Sequence, residues 1–248
     1  MCAESSDSPA TLLLRLAAPL QSWGTFSKFN TRNTDRYPSK SGVIGMIAAA
    51  MGRRRDEALD DLSTLKFGLR IDQEGELLVD YQTVHHPTKS KLAFITYRHY
   101  LSDAVFLAGL EGSRPLLEEI DCAVNHPFFP LYLGRRSCPP AGQISLGIRS
   151  MSLEEALKNE NWLASNWYKA QKSQNLQLEI ISESSVGDGA GFSKDVPVSF
   201  NQNHRAYGFR QLSSDLEGVA LQNNDSRYRM KEVPTDQDPI KELREKQV

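Results

Sequence analysis

Apolar and polar positions in the first half of the chain predict one buried strand followed by one helix. The segment TLLLRLAAPL, from Thr11 to Leu20, is short, apolar and stopped by Pro19, which is typical of a central strand. A helix is predicted to start after Ser39 or Ser41 and to end at Gly52, which suits a left-handed C-cap. One face of this helix would carry Val43, Ile44, Ile47, Ala48 and Met51.

The next apolar segments predict three more strands and a second helix. LKFGLRI and ELLVDYQTV alternate like the two strands of a hairpin joined by DQEG, and TYRHYLSDAVFLAGL reads as one long strand with a polar first half. Residues Ser113 to Val124 have helical periodicity, with Pro115 in the first turn. The predicted order of elements is therefore β-α-β-β-β-α.

The second half of the chain predicts smaller elements separated by loops. A long loop surrounds LYLGRRSC, and an S-x-x-E box from Ser152 to Glu155 predicts a capped helix. LQLEIIS predicts a strand, and the glycine-rich SVGDGAGFSKDVPVSF follows it. Residues after about Asp225 are polar, and we expect them to be frayed.

Composition limits the class of protein and directs attention to local charge. The 248 residues have 40% hydrophobic content, which can support a core, and a formal net charge of −2 excludes a uniformly basic coat. Charge is nevertheless segregated: residues 1–55 hold eight basic and three acidic side chains, including the run Arg53 to Arg55. A local basic face is therefore possible.

Cysteine usage and the N-terminal sequence indicate a cytoplasmic protein. Cys2, Cys122 and Cys138 are odd in number, far apart and form no CxxC pair, so neither a disulfide framework nor a zinc site is suggested. The start MCAESSDSPA is acidic and polar, and no apolar run approaches the length of a membrane span. We expect no membrane association, metal or cofactor.

The loop that precedes the first helix is the first candidate site. It extends from Gln21 to Lys40, which is longer than a compact domain usually tolerates without a functional reason. A helix N-terminus offers free N–H groups, and Gly42 would let a phosphate approach the backbone. The alternative is that Ser39, Lys40 and Ser41 only cap and solvate a core helix.

Two further segments combine arginine with aromatic or glycine residues. LYLGRRSC presents Arg135 and Arg136, whose guanidinium groups suit phosphates or bases, although buried ion pairs would explain them equally well. ITYRHY would place Arg98 and Tyr100 on one face of a strand. Aromatic rings interleaved with arginine suit single-stranded RNA, while half-buried aromatics of an ordinary sheet are the alternative.

The adjacent histidines are the candidates for acid–base chemistry. His85 and His86 lie close to Lys89 and Lys91, and metal-free RNA cleavage could use a histidine base with a lysine that stabilises charge. Nothing in the sequence fixes their geometry, so a solvated loop is the preferred interpretation. The five histidines have no metal-ligand spacing.

Four ordered motifs together resemble one family. LRLAAPLQSWG, RYPSKSGVIGMIAAAMG, YRHYLSDAVF and above all PLYLGRRSCP are similar to the CasD family, the subunit of the type I-E CRISPR surveillance complex (Cascade) that holds the 5′ handle of the guide crRNA. The resemblance spans about Leu12 to Pro140, with weaker echoes in KDVPVSF and YGFR. It implies an α+β fold with a ferredoxin-like, RRM-related domain of the RAMP type, a projecting thumb hairpin and a small C-terminal β-rich part.

The resemblance also implies boundaries and contacts for this chain. The implied segments are a polar N-terminal extension at 1–10, a ferredoxin-like domain at 11–150 with its thumb at about 80–98, a C-terminal part at 151–224 and a polar tail at 225–248. The implied RNA-binding residues are Trp23, Arg32, Arg36, Ser39, Lys40, Ser41, Gly42, Arg98, Tyr100, Arg135 and Arg136.

The resemblance implies that the chain caps the backbone filament of a complex that acts in antiviral defence. Such a subunit would bind the 5′ handle of the crRNA and abut a CasC-type backbone subunit and a CasA-type large subunit, reaching target DNA only through the complex. In type I-C systems the corresponding subunit cuts precursor RNA, which His85 and His86 superficially evoke. Because the motifs here follow the type I-E style, we expect no catalytic activity, with a metal-independent endoribonuclease as the alternative.

Overall fold

A computed structural model describes residues 9–24, 27–28, 30–85, 93–183 and 191–228, and it describes the backbone alone at residues 27, 28, 216 and 217. The strands are β1 (Ala10–Ala17), β2 (Leu20–Gln21), β3 (Ser27–Lys28), β4 (Thr31–Arg32), β5 (Lys66–Gln73), β6 (Glu76–His85), β7 (Ala93–Ser102), β8 (Val105–Gly112), β9 (Ser145–Arg149), β10 (Asn175–Glu183), β11 (Gly191–Ser199) and β12 (Ala206–Gln222). The helices are α1 (Lys40–Ala50), α2 (Asp60–Ser63), α3 (Arg114–Asn125), α4 (Leu153–Asn159) and α5 (Asn166–Gln171).

A seven-stranded antiparallel sheet forms the body of this mixed α+β fold. Its strand order is β11-β12-β10-β5-β8-β1-β9. Within it, α1 lies in the connection from β1 to β5, and α3 lies in the connection from β8 to β9. The sheet also runs across residue 150, because β10 pairs directly with β5. The N-terminal and C-terminal parts therefore share one sheet.

Both faces of the central strand β1 are covered. Alternation along β1 directs Leu12, Leu14 and Leu16 into the cluster that contains the apolar faces of α1 and α3. Leu13 on the opposite face packs in a second cluster with α4. This double coverage explains why β1 is apolar without a polar face, as its sequence predicted.

The predicted ends of the helices are confirmed. Ser39 is the N-cap of α1, and its hydroxyl accepts a hydrogen bond from the Gly42 amide. Gly52 has a φ of 78° just past the helix, as expected for a left-handed C-cap. The capping box between Ser152 and Glu155 starts α4. None of the described helices is long and apolar enough to cross a membrane.

A second sheet carries a two-stranded hairpin away from the body. Its order is β2-β7-β4-β3, and β6 pairs with β7 from Glu76↔Ser102 to His85↔Ala93. Most side chains of this β6–β7 hairpin are exposed, in contrast to those of β1 and β5. The hairpin covers the described part of the predicted thumb.

Two strand predictions in this region are wrong. LKFGLRI and ELLVDYQTV do not pair with each other: β5 is buried between β8 and β10, whereas β6 pairs with β7 in the other sheet. TYRHYLSDAVFLAGL is two strands, because Asp103 between β7 and β8 adopts a φ of 55° and its amide bonds to the Pro19 carbonyl. The chain changes sheet at that residue.

Candidate nucleic-acid interface

The turn LGRRSC is a closed loop that presents two arginines. The Leu133 amide donates to the Cys138 carbonyl at 2.8 Å, and the Cys138 amide donates to the Arg135 carbonyl at 2.9 Å. Gly134 has a φ of 85°, and a Cβ atom there would overlap the backbone oxygen of Ser22. Only glycine lets the turn pack against the start of the long loop, so Gly134 fixes where the arginines lie.

Arg135 joins three segments of this face. Its Nη2 donates to the carbonyl oxygens of Arg32 at 2.8 Å and Asn33 at 3.3 Å. Its guanidinium carbon lies 4.7 Å from the ring centroid of Tyr100, a cation–π contact. Because β4 pairs in parallel with β7 at Arg32↔Arg98, this one side chain brings the turn, β4 and β7 together.

The Tyr100 phenol is held in a polar and positive environment. Burial alone would raise the pKa of this phenol, but hydrogen bonds involving Ser137 and Arg135, and the charge of Arg135, lower the pKa below 10. The Tyr100 hydroxyl lies 3.5 Å from the Ser137 hydroxyl. Ser137, which the sequence did not single out, belongs to the same cluster.

The four arginines of this face have no acidic partner in the part of the chain that the structure describes. No carboxylate in the described part of the chain lies within 4.0 Å of a nitrogen of Arg32, Arg98, Arg135 or Arg136. Arg98 Nε and Arg135 Nη1 are also buried without any hydrogen-bond acceptor among those residues. Buried N–H donors are normally satisfied, so these two donors lack the expected acceptor among the described residues.

The start of α1 is already occupied by a carboxylate. Asp195 on β11 accepts a hydrogen bond from the Lys40 amide at 2.7 Å, which places an anion where a phosphate was predicted. The Lys40 side chain is only 4% exposed, and its amine pairs with Glu183 at 2.9 Å. Lys40 is therefore an internal ion-pair residue in this chain.

Asp195 belongs to a buried four-residue charge network. Arg210 donates to both Asp195 oxygens, at 2.7 and 2.8 Å, and its guanidinium lies 5.1 Å from the Phe67 ring centroid. Burial alone would raise the pKa of the Asp195 carboxyl, but Arg210 lowers the pKa below 3.8. No local sequence pattern indicates this network, because Lys40 and Asp195 are 155 residues apart.

Trp23 and Gly42 form a packed pair behind this surface. Trp23 is 1% exposed, and its indole N–H donates to Gln21 at 2.9 Å. A Cβ atom on Gly42 would lie 2.9 Å from the Trp23 ring, so glycine here permits close packing of the indole. Neither side of this contact is open to a base.

The other predicted residues lie at the margin. Arg36 is exposed and pairs with Glu74 at 2.7 Å, while Ser41 is half-buried with its hydroxyl 3.4 Å from that of Ser39. His85 is exposed at the end of β6. His86, Lys89 and Lys91 lie outside the described residues, as do residues 1–8 and the tail from 229.

The predicted RNA-binding residues therefore divide into two groups. Arg32, Arg98, Tyr100 and Arg135 come together, with Arg136 exposed on the same turn. The residues at the start of α1 are largely buried instead. Among the residues that the structure describes, no group of three or more His, Cys, Asp or Glu side chains could hold a metal ion.

The fold and this face define an α+β protein that presents an arginine cluster with no acidic partner among its described residues. A sequence model of the family described as CRISPR-associated protein (Cas_Cas5) matches residues 11–213. The CRISPR system Cascade subunit CasD of Escherichia coli (strain K12) is 33% identical over 192 residues, which cover 69% of this chain and 86% of that protein.

Two solved structures are similar in both sequence and fold. One, described as the crystal structure of a Cas protein, is 37% identical with a TM-score of 0.67, and the match covers 88% of this chain and 98% of that one. The other, a chain of a CRISPR RNA-guided surveillance complex, is 30% identical with a TM-score of 0.69, covering 87% and 92%. The chain belongs to the Cas5 family of CRISPR-associated proteins, and the resemblance to CasD is confirmed.

Proposed function

We propose that this chain is a non-catalytic subunit of a type I-E CRISPR surveillance complex that binds the 5′ handle of the crRNA. The observation that carries the proposal is the arginine cluster, in which none of the four guanidinium groups has a carboxylate within 4.0 Å among the described residues. Phosphate oxygens are the acceptors that such groups bind best, often in pairs. The relative in the solved surveillance complex supports the same role.

Contacts to RNA are assigned by exposure. Arg32 and Arg136 are exposed, Arg98 is half-buried, and Arg36 lies at the margin; these four would contact the handle phosphates. Ser41 could donate a hydroxyl hydrogen bond beside them. The buried residues act by shaping the surface: Tyr100 positions Arg135, while Trp23, Ser39, Lys40 and Gly42 fix the start of α1 and the loop before it.

We assign the body to the ferredoxin-like, RRM-related class of RAMP proteins. The strand order β9-β1-β8-β5, with α1 and α3 as the two crossovers, supports this assignment because it is that of a split βαβ pair. The sheet face that an RRM uses for RNA is here packed under α4. RNA would therefore bind at the edge formed by β4, β7 and the turn.

The β6–β7 hairpin would serve as the thumb over the handle–spacer junction. Its exposed apolar side chains, which include Leu77, Tyr81 and Ile95, form a surface typical of protein contacts. The partners proposed for the chain are a CasC-type backbone subunit and a CasA-type large subunit. In this arrangement the chain caps the filament of backbone subunits, next to the large subunit, in a complex that defends against foreign DNA.

The absence of catalysis is part of the proposal, and the surroundings of His85 support it. Its side chain is exposed and makes no hydrogen bond within the described residues, so nothing there fixes its tautomer or orientation. General acid–base catalysis requires such positioning.

The test is a gel assay with end-labelled repeat RNA that carries the handle, in EDTA. Binding without new fragments is expected. A specific cut that is lost in His85→Ala or His86→Ala would instead establish the endoribonuclease and overturn the proposal.

The matched variants are Arg136→Ala and Arg114→Ala. Both side chains are exposed, but Arg114 pairs with Glu118 on α3. Arg136→Ala should weaken handle binding and Arg114→Ala should not, with unchanged melting curves for both. Equal affinities for the two variants would contradict the assignment of the arginine cluster.

A further inference from the structure

We propose that the surface around α5 is a second nucleic-acid contact, which binds a single-stranded segment through Trp167, Lys169, Lys172 and Arg227. It goes beyond handle binding by the arginine cluster and does not depend on it. The ligand class is a flexible single strand of RNA or DNA, bound by base stacking and phosphate attraction without sequence readout.

An exposed and supported tryptophan provides the stacking platform. Trp167 is 52% exposed, an unusual state for the largest apolar side chain of a short helix. Its ring packs edge-on against Tyr168, with centroids 5.7 Å apart, and Tyr168 packs edge-on against Trp162 at 6.4 Å. These contacts hold the indole in place while one side of it stays open to a base.

The lysines of this surface lie over the two neighbouring rings, and neither forms an ion pair within the described residues. Lys169 Nζ lies 5.3 Å from the Trp162 ring centroid, and Lys172 Nζ lies 4.6 Å from that of Tyr168. No carboxylate within the described ranges lies within 4.0 Å of either amine. A ring attracts a cation without neutralising it, so the Lys172 charge remains available to phosphates, while the Lys169 charge also acts on the buried Asp72 carboxyl.

The C-terminal end of the described chain fixes this surface. The Asn223 side-chain amide donates to the Lys169 carbonyl at 2.7 Å, and the Arg227 amide donates to the Ala170 carbonyl at 2.9 Å. A helix of six residues is not stable alone, and these bonds satisfy its last carbonyls. They also place Arg227, which is exposed, beside the lysines.

A cleft of about 280 Å³ adjoins the platform and suits a base better than a phosphate. Its lining includes the Tyr168 ring, Leu176 and the Gln177 amide, which offer apolar contact and hydrogen bonds. Glu74 and Glu179 also line it and would repel a phosphate. The backbone of the strand would therefore cross the lysines while a base enters the cleft.

The experiment measures fluorescence anisotropy of labelled oligo(U) and oligo(dT) of about ten nucleotides with the full chain, in saturating unlabelled handle RNA. Trp167→Ala should weaken binding about tenfold, and Trp167→Phe should retain most of the affinity because it keeps a ring. Lys169→Ala with Lys172→Ala should reduce the slope of log affinity against log salt by about 1.4, or ~0.7 per lost contact. The relative affinities of the two oligonucleotides assign the strand as RNA or DNA.

Lys158→Ala is the matched control, since Lys158 is also a helix lysine but pairs with Glu154. It should change neither affinity nor slope. Unchanged oligonucleotide binding in the Trp167 and lysine variants would overturn the proposal, and impaired assembly with partner subunits in the same variants would identify a protein interface instead.

Arg136→Ala separates the two proposals. If it weakens handle binding and leaves oligonucleotide binding intact, two distinct surfaces are established. If it removes oligonucleotide binding as well, the oligonucleotides bind at the arginine cluster, and the α5 proposal fails while the proposed function stands.

Discussion

Two sets of arginines in this molecule have opposite surroundings. Arg70 and Arg210 are buried and paired through two hydrogen bonds each with Asp72 and Asp195. The arginine cluster has no carboxylate within 4.0 Å among the described residues, although parts of Arg98 and Arg135 are buried as well. Burial of an unpaired guanidinium is costly, and this difference in pairing supports the proposal that the cluster binds an external anion.

We expect the two sets of arginines to contribute to different properties, the paired set to the stability of the fold and the arginine cluster to binding. The paired arginines connect elements of the body: Arg70 also donates to the carbonyls of Leu157, Glu160 and Asn161 at the end of α4. Removing such a group leaves a buried charge and several unsatisfied acceptors. Removing an exposed cluster arginine leaves no carboxylate unpaired among the described residues.

The largest expected effect is that of Arg70→Ala. Both Arg70 and Asp72 have fully buried side chains, so the variant leaves Asp72 as an unpaired buried charge and should lower the unfolding free energy by about 3–5 kcal/mol. Denaturant unfolding measures the loss. The double variant Arg70→Met with Asp72→Leu should recover much of it; no recovery would mean that the backbone contacts of Arg70, rather than its charge pair, dominate.

Gly134→Ala should have the next largest effect. The substitution forces a side chain into the left-handed region at φ 85° and against the Ser22 carbonyl, for a loss of about 2–3 kcal/mol. Because the turn would shift, handle binding should fall at the same time. Gly142→Ala is the control: its φ is 79°, but its nearest neighbour is the flexible end of Arg15, so only stability should decline.

Acidification should lower the free energy of unfolding, because it protonates Asp195 and weakens its pair with Arg210. Since the folded pKa of Asp195 is lowered, its contribution is present above the unfolded value of 3.8 and is lost as the pH falls through the folded pKa. Asp195→Asn should lower stability by about 2 kcal/mol at neutral pH and flatten the pH dependence below about 4. Unfolding curves from pH 7 to the acid limit would show this; an unchanged acid slope would contradict it.

The smallest effect on stability is expected for Arg136→Ala, at less than about 0.5 kcal/mol. It should weaken handle binding about tenfold and reduce the slope of log affinity against log salt concentration by about 1.

Arg135→Ala should differ from Arg136→Ala, because Arg135 bridges β4 and Tyr100. It should lower the free energy of unfolding by about 1–2 kcal/mol as well. Identical melting temperatures for Arg135→Ala and Arg136→Ala would contradict this difference.

The sequence predicts elements where the signal is local. Ser39, Gly52 and the box at Ser152 mark helix ends by capping chemistry that involves neighbours within a few residues, and these predictions are confirmed. The supposed pairing of LKFGLRI with ELLVDYQTV was wrong because the short DQEG link resembles a hairpin turn. The actual partners of β5 lie about 40 and 110 residues away, and local patterns do not encode them.

The candidate site shows the same limit. Arg135 and Arg136 were found by composition, and their turn by its glycine. Lys40 looked exposed because its neighbours are polar, yet Glu183 and Asp195, distant in sequence, bury it. Whether a basic residue is free for RNA depends on the distribution of carboxylates in three dimensions, which spacing along the chain does not reveal.

The bond between Asp195 and the start of α1 has a consequence for synthesis of the protein. Asp195 is made 155 residues after Lys40, and ribosomes add about 5–20 residues per second. The Lys40 amide is therefore made roughly 10–30 s before its carboxylate acceptor. During that interval the start of α1 and the Lys40 amine lack their native partners. The nascent N-terminal half therefore carries an unpaired positive charge on Lys40, which is neutralised once Glu183 at the end of β10 has been made.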